Sequence, residues 1–168
     1  MSLVTEDGTG KSDAESLCSV AVADAYHLVR GNSAWDLLDN TDEKEPALRK
    51  ATDYMIAAYR DRWDGVRYSE DQALDWPRSG VVRDSWQVDT DTVPVEVRNA
   101  CAELALKSAS ATLLDDQTQG VIREKVGVIE VEYSENSPQG TRYKQIDAML
   151  RPFLSSTGNG CNVKMVRA

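Results

Sequence analysis

The chain has 168 residues, with 28 Asp and Glu against 19 Lys and Arg, for a formal charge of −9 and a pI near 4.6. That length suits one domain whose core needs no metal or disulfide to hold it, and no apolar run approaches the roughly 20 residues that span a bilayer. Tight nucleic-acid binding works through clustered Lys and Arg, which this acidic chain lacks, and its start, MSLVTEDGTGKSD, has neither the basic opening nor the apolar stretch of a signal peptide, so a cytoplasmic site of synthesis is expected.

Residues 1–18 are polar and contain glycine, and read as a loosely held arm. Residues 19–31 predict a first helix, capped by Ser19 and stopped at Gly31, with Val22, Tyr26 and Val29 on one face. His27, the only histidine, is expected as a packed or exposed helix residue rather than a catalytic one. Residues 31–40 form a connector anchored by Trp35. The strongest periodicity covers 41–65. Thr41 or Asp42 caps this long helix, Asp42, Glu43 and Glu45 suit its positive start, and Pro46 is tolerated only near that start. Ala47, Leu48, Ala51, Tyr54, Met55, Ala58, Tyr59 and Trp63 recur at threes and fours as one apolar stripe, which marks core. Gly65 marks the end.

Residues 66–93 are the least regular, with a short helical turn expected at SEDQAL. Within them LDWPRSGV, 74–81, reads as an extended, turning loop, because Pro77 drives Trp76 out of helical geometry and Ser79-Gly80 signals a turn. That loop is either stapled to its own core or packed on another subunit. Trp86 and an acidic DTD at 89–91 share the segment. Residues 94–116 predict a second long helix, with Pro94 at its first position. Its small residues run most of the way round, which suits the middle of a bundle. Residues 121–134 alternate, with Ile129, Val131 and Tyr133 opposite Glu130 and Glu132, as in a half-buried strand or hairpin arm. A last helix over 142–156 presents Tyr143, Ile146, Met149, Leu150 and Phe153, and Pro152 kinks or ends it. The expected fold is mainly α: a bundle of about four helices with a small β-hairpin or strand element. Residues 1–154 form the single domain. Residues 155–168 form a flexible tail that lacks acidic residues and carries Lys164 and Arg167.

Little in the chain points to catalysis. Cys18, Cys101 and Cys161 are far apart and in no CxxC pair, so three free thiols are expected. GTGKSD superficially suggests a phosphate loop, but the motif needs a glycine where Thr5 stands. One histidine excludes most two-histidine zinc sites, and no spacing selects a carboxylate pair. The expectation is therefore a non-enzymatic protein without cofactor or metal.

Read in order, GTG, VAVADAYHLVRGNSAW, EPALRKATDYM, RWDGVRYSEDQALDWPRSGV, VPVEVRNACAELAL, REKVGVIEVEY and YKQIDAMLRPFL resemble the head–tail connector (adaptor) proteins of tailed bacteriophages. Members of that group are often labelled DnaT-like single-stranded DNA-binding proteins. The resemblance runs from about residue 8 to residue 154. It implies a virion subunit at the neck, assembled as a typically dodecameric ring beneath the portal. Such a ring extends the channel for packaged and ejected double-stranded DNA and forms the platform for head-completion or tail proteins. The partners implied are other copies of the chain, the portal and those proteins, with no membrane. In such adaptors the last segment reaches the portal, which would give Asn162, Val163, Lys164, Met165, Val166 and Arg167 that role. Trp76 and Pro77 are expected to staple their loop near a subunit boundary, with Arg78 pairing across or along it and Trp86 beside it. Single-stranded DNA binding is the alternative: the chain has four tryptophans for base stacking but no basic cluster to hold a backbone.

Overall fold

The computed structural model describes residues 2–38, 40–114, 123–126, 129–132 and 142–155. The first helix, α1 (Val20–Val29), starts where Ser19 accepts a hydrogen bond from the Val22 amide at 3.3 Å. A tight corner then leads into the single turn α2 (Ser33–Asp36), which buries Trp35. A π-helical turn at Asn40–Lys44 precedes α3 (Glu45–Tyr59), and a 3-10 turn at Arg60–Arg62 follows it. The predicted helix over 41–65 is thus one regular helix with irregular ends. Its apolar stripe faces the core as expected: Ala47, Leu48, Ala51, Tyr54, Met55, Tyr59 and Trp63 are buried.

Residues 66–93 hold two small antiparallel pairs. Strand β1 (Val66–Arg67) pairs with β2 (Arg78–Ser79), so the LDWPRSGV segment closes back on the end of α3. Strands β3 (Val82–Arg83) and β4 (Trp86–Gln87) form a hairpin whose two turn residues, Asp84 and Ser85, have φ of 50° and 70°. Positive φ at both central positions is the twist that two-residue hairpins favour. No helical turn forms at SEDQAL.

Helix α4 (Val95–Ser110) follows, with Pro94 one residue before it. It packs against α1 and α3, and against the last helix, α5 (Lys144–Leu150). Ala100, Ala102 and Ala105 are fully buried on it, and their short side chains let neighbouring helices approach closely. Between α4 and α5, β5 (Arg123–Val126) pairs antiparallel with β6 (Ile129–Glu132), Val126 opposite Ile129. A 3-10 turn at Arg151–Phe153 ends α5 at Pro152, with Ile146, Leu150 and Phe153 fully buried. The fold is therefore mainly helical with small antiparallel strand pairs. Among the described residues no helix is long and apolar enough to cross a membrane.

Two expectations need correction. The first residues are not a loose arm. Leu17 and Cys18 are core residues, the Glu6 amide donates to the Ser16 carbonyl at 2.9 Å, and Ala73 donates to the Lys11 carbonyl at 2.9 Å. The Glu6 carboxylate, 4% exposed, accepts from the amides of Gly8, Gly10 and Lys11 at 2.8, 3.0 and 2.8 Å. The loop that resembles a phosphate cradle thus turns its amides onto an internal carboxylate. Second, Val29 is 82% exposed, and Ala23, Tyr26 and His27 form the inner face of α1.

Candidate interaction surfaces

The sequence singles out Trp76, Pro77 and Arg78, and the structure places all three inside the subunit. Trp76 is fully buried, edge-on to Trp63 at 5.6 Å and to Phe153 at 5.7 Å, and its peptide bond to the next residue, Pro77, is cis. Its indole N–H has no partner among the described residues, so its contribution is apolar burial and edge-to-face ring contact. Arg78 lies with its guanidinium among carbonyls of its own chain. Nε donates to Asp64 O at 2.7 Å, Nη2 to Gly65 O at 2.7 Å and Nη1 to Asp75 O at 3.1 Å. A planar fork with five donors suits three oxygens in one loop. Burial pulls the Arg78 pKa below its usual value, opposed by the nearby Asp75. Within the subunit, then, the loop is stapled to its own core, and the pairing of Arg78 runs to its own chain.

Arg60, Arg67, Asp75 and Arg78 line a cleft of about 340 Å³. Arg60 donates to the buried Asp75 carboxylate at 3.0 Å, and Arg67 donates to the Gln72 and Glu70 carbonyls, both at 3.1 Å. These positive side chains brace the loop and leave no open basic groove here.

Trp86 behaves differently from the other tryptophans. It is 80% exposed, whereas Trp35, Trp63 and Trp76 are buried. Trp86, Val95 and Phe153 line a groove of about 360 Å³ with Asp84, Asp89 and Glu96. Arg83 in its wall pairs with Glu96 and lies 3.6 Å from Asp84. A second exposed apolar group, Leu28, Val29 and Leu37, lies at the α1–α2 corner. Sequence reasoning missed this corner because Val29 falls at a spacing that reads as core. Asn162 to Arg167 lie outside the described residues.

His27 is fully buried and stacked 4.8 Å from Trp35. Asn32 Nδ2 donates to Nδ1 at 3.0 Å, which leaves Nε2–H to donate to the Ala102 carbonyl at 3.1 Å. That is a neutral, structural imidazole, and burial lowers its pKa. Cys18 and Cys101 are buried free thiols, both pushed up by burial. Cys101 Sγ lies 3.5 Å from Thr52 Oγ1, and Cys161 is outside the described residues. Among the described residues no three His, Cys, Asp or Glu are grouped to hold a metal.

The chain thus combines a helical core, a loop braced from within, and exposed apolar side chains that include a group at the α1–α2 corner and another beside the Trp86 groove. It belongs to the family described as "Putative DnaT-like ssDNA binding protein", whose model matches residues 1–168. No curated protein and no solved structure matches the chain.

Proposed function

We propose that the chain is a structural subunit of the head–tail connector of a tailed phage, a ring beneath the portal through which double-stranded DNA passes. The observation that carries this reading is the placement of the aromatic side chains. Single-strand binders expose several rings beside a positive groove. Here Trp35, Trp63 and Trp76 are core residues, and the arginines beside Trp76 bond to their own loop. Of the exposed large apolar side chains, Leu28, Val29 and Leu37 group at one corner and Val82, Trp86 and Val95 near the groove, while Val66, Tyr68 and Leu114 are exposed elsewhere. Two different faces on one chain are what a head-to-tail ring contact requires. The acidic surface supports the same reading, because a channel wall must pass DNA without holding it. The ordered resemblance of seven segments to connector proteins supplies the neck location, the portal partner and the typically twelvefold ring.

A second reading, single-stranded DNA binding, is favoured by the family description itself, and Trp86 and the half-exposed Tyr68 are the rings it would use. Fluorescence anisotropy with a labelled oligothymidylate at about 0.15 M salt separates the two. The connector reading predicts no saturation below roughly 100 μM, at or beyond the weak end of non-specific binding. Saturable binding near 1 μM, weakened by Trp86→Ala, would overturn it in favour of the second.

A further inference from the structure

The groove beside Trp86 has no assigned occupant. Its apolar lining is Trp86, Val88, Pro94, Val95 and Phe153, and its charged lining is Asp84, Asp89 and Glu96 against Arg83 alone. Arg83 is already paired with Glu96 and Asp84, and Asp89 makes no ion pair among the described residues. The groove thus offers an exposed indole ringed by surplus negative charge. Its complement is a short segment that is both apolar and basic.

The chain carries such a segment. Residues 162–167, NVKMVR, hold Val163, Met165 and Val166 with Lys164 and Arg167, and no acidic residue occurs between 156 and 168. The described chain reaches Ser155, two residues beyond the Phe153 that lines the groove. The six residues 156–161 between Ser155 and this segment cover about 20 Å when extended, enough to return to a groove lined by Phe153. Tethering at this range gives an effective concentration on the order of millimolar, which favours the same chain over a neighbour. We propose that the Trp86 groove is the docking site for residues 162–167 of its own chain. Met165 and the valines lie on the indole, where a thioether packs well against an aromatic ring, and a basic side chain meets Asp89. Docked there, the segment covers the Trp86 face that both functional readings use, so a neighbouring subunit or a base must displace it.

Tryptophan emission tests it directly, since the other three indoles are buried. The full chain is compared with a chain ending at Ser155, both at low micromolar concentration. The expected result is a red-shifted, more acrylamide-quenchable emission in the shortened chain. A synthetic peptide of residues 159–168 should reverse that change saturably, and Asp89→Lys should weaken the peptide at least tenfold. Lys164→Glu with Arg167→Glu in the full chain gives the same readout without truncation. Equal quenching of the full, shortened and charge-reversed chains, with no peptide binding up to about 1 mM, would overturn the proposal. So would a full-chain emission that shifts with protein concentration, because the segment would then come from another copy.

Discussion

Arg78→Ala should unfold the isolated subunit far more readily than the loss of one surface charge would. Arg78 is 7% exposed and holds three carbonyl oxygens, Asp64, Gly65 and Asp75, at 2.7, 2.7 and 3.1 Å. Bonds to a charged donor contribute about 1.5–3 kcal/mol each before desolvation, and a buried acceptor left empty costs about 1–3 kcal/mol. Burying the guanidinium offsets part of the gain. Asp64 and Gly65 are only half-buried, so water refills part of their loss. Taking about 1 kcal/mol per oxygen gives a net loss near 3 kcal/mol. With a urea slope of about 2 kcal/mol/M, the midpoint falls by roughly 1.5 M at unchanged slope. Arg78→Lys keeps a charge but not the fork, and should recover about a third of that. Equilibrium urea unfolding followed by far-UV circular dichroism measures both. A midpoint shift below about 0.3 M for Arg78→Ala would refute the internal clamp. If assembly failed while monomer stability held, Arg78 would belong to a subunit boundary.

Two further predictions follow from backbone and proton chemistry. Gly31 and Gly65 share nearly the same φ, 67° and 66°, yet a Cβ at Gly31 meets nothing within 4 Å while one at Gly65 collides with the Ser79 carbonyl oxygen. Gly31→Ala should therefore cost only the left-handed strain, about 1 kcal/mol. Gly65→Ala should cost at least about twice that, an extra fall in Tm of about 2–4 °C or more by calorimetry. Equal losses would show that the β1–β2 contact yields freely. For His27, burial favours the neutral ring in the folded state, with Arg30 acting in the same direction and the Ala102 carbonyl, Glu103 and Asp24 against it. The unfolded chain binds the proton more readily, so stability rises with pH across the window from the lowered folded pKa up to the ordinary value near 6.5. Urea midpoints should fall between pH 7 and pH 5, and His27→Gln should remove the part of that slope that this ring supplies. An unchanged slope in the variant would show that His27 carries no part of it.

The regular helices were the legible part of this chain. The stripe from Ala47 to Trp63 repeats at helical spacing, and the alanines around Cys101 mark a central helix whatever its partners. Other features depend on contacts distant in sequence. The first 18 residues lack periodicity, and their order comes from Glu6 gathering three amides and from Leu17 and Cys18 reaching the core. The β3–β4 hairpin turns on Asp84-Ser85 without the glycine that usually announces such a turn. Arg78 is read as pairing across or along a subunit boundary, yet its fork completes a buried loop of its own chain, and only tertiary packing separates the buried Trp76 from the exposed Trp86. A local pattern records which face of a helix is apolar. It does not record which loop side chain a distant carbonyl will claim.

The most direct test of the connector account is the native mass of the purified chain, alone and after mixing with the portal of the same phage. The account predicts a closed ring, or a defined complex with portal that is weakened by Leu28→Ser with Leu37→Ser or by Trp86→Ala. A monomer that ignores portal and gains mass only with single-stranded oligonucleotide would contradict it.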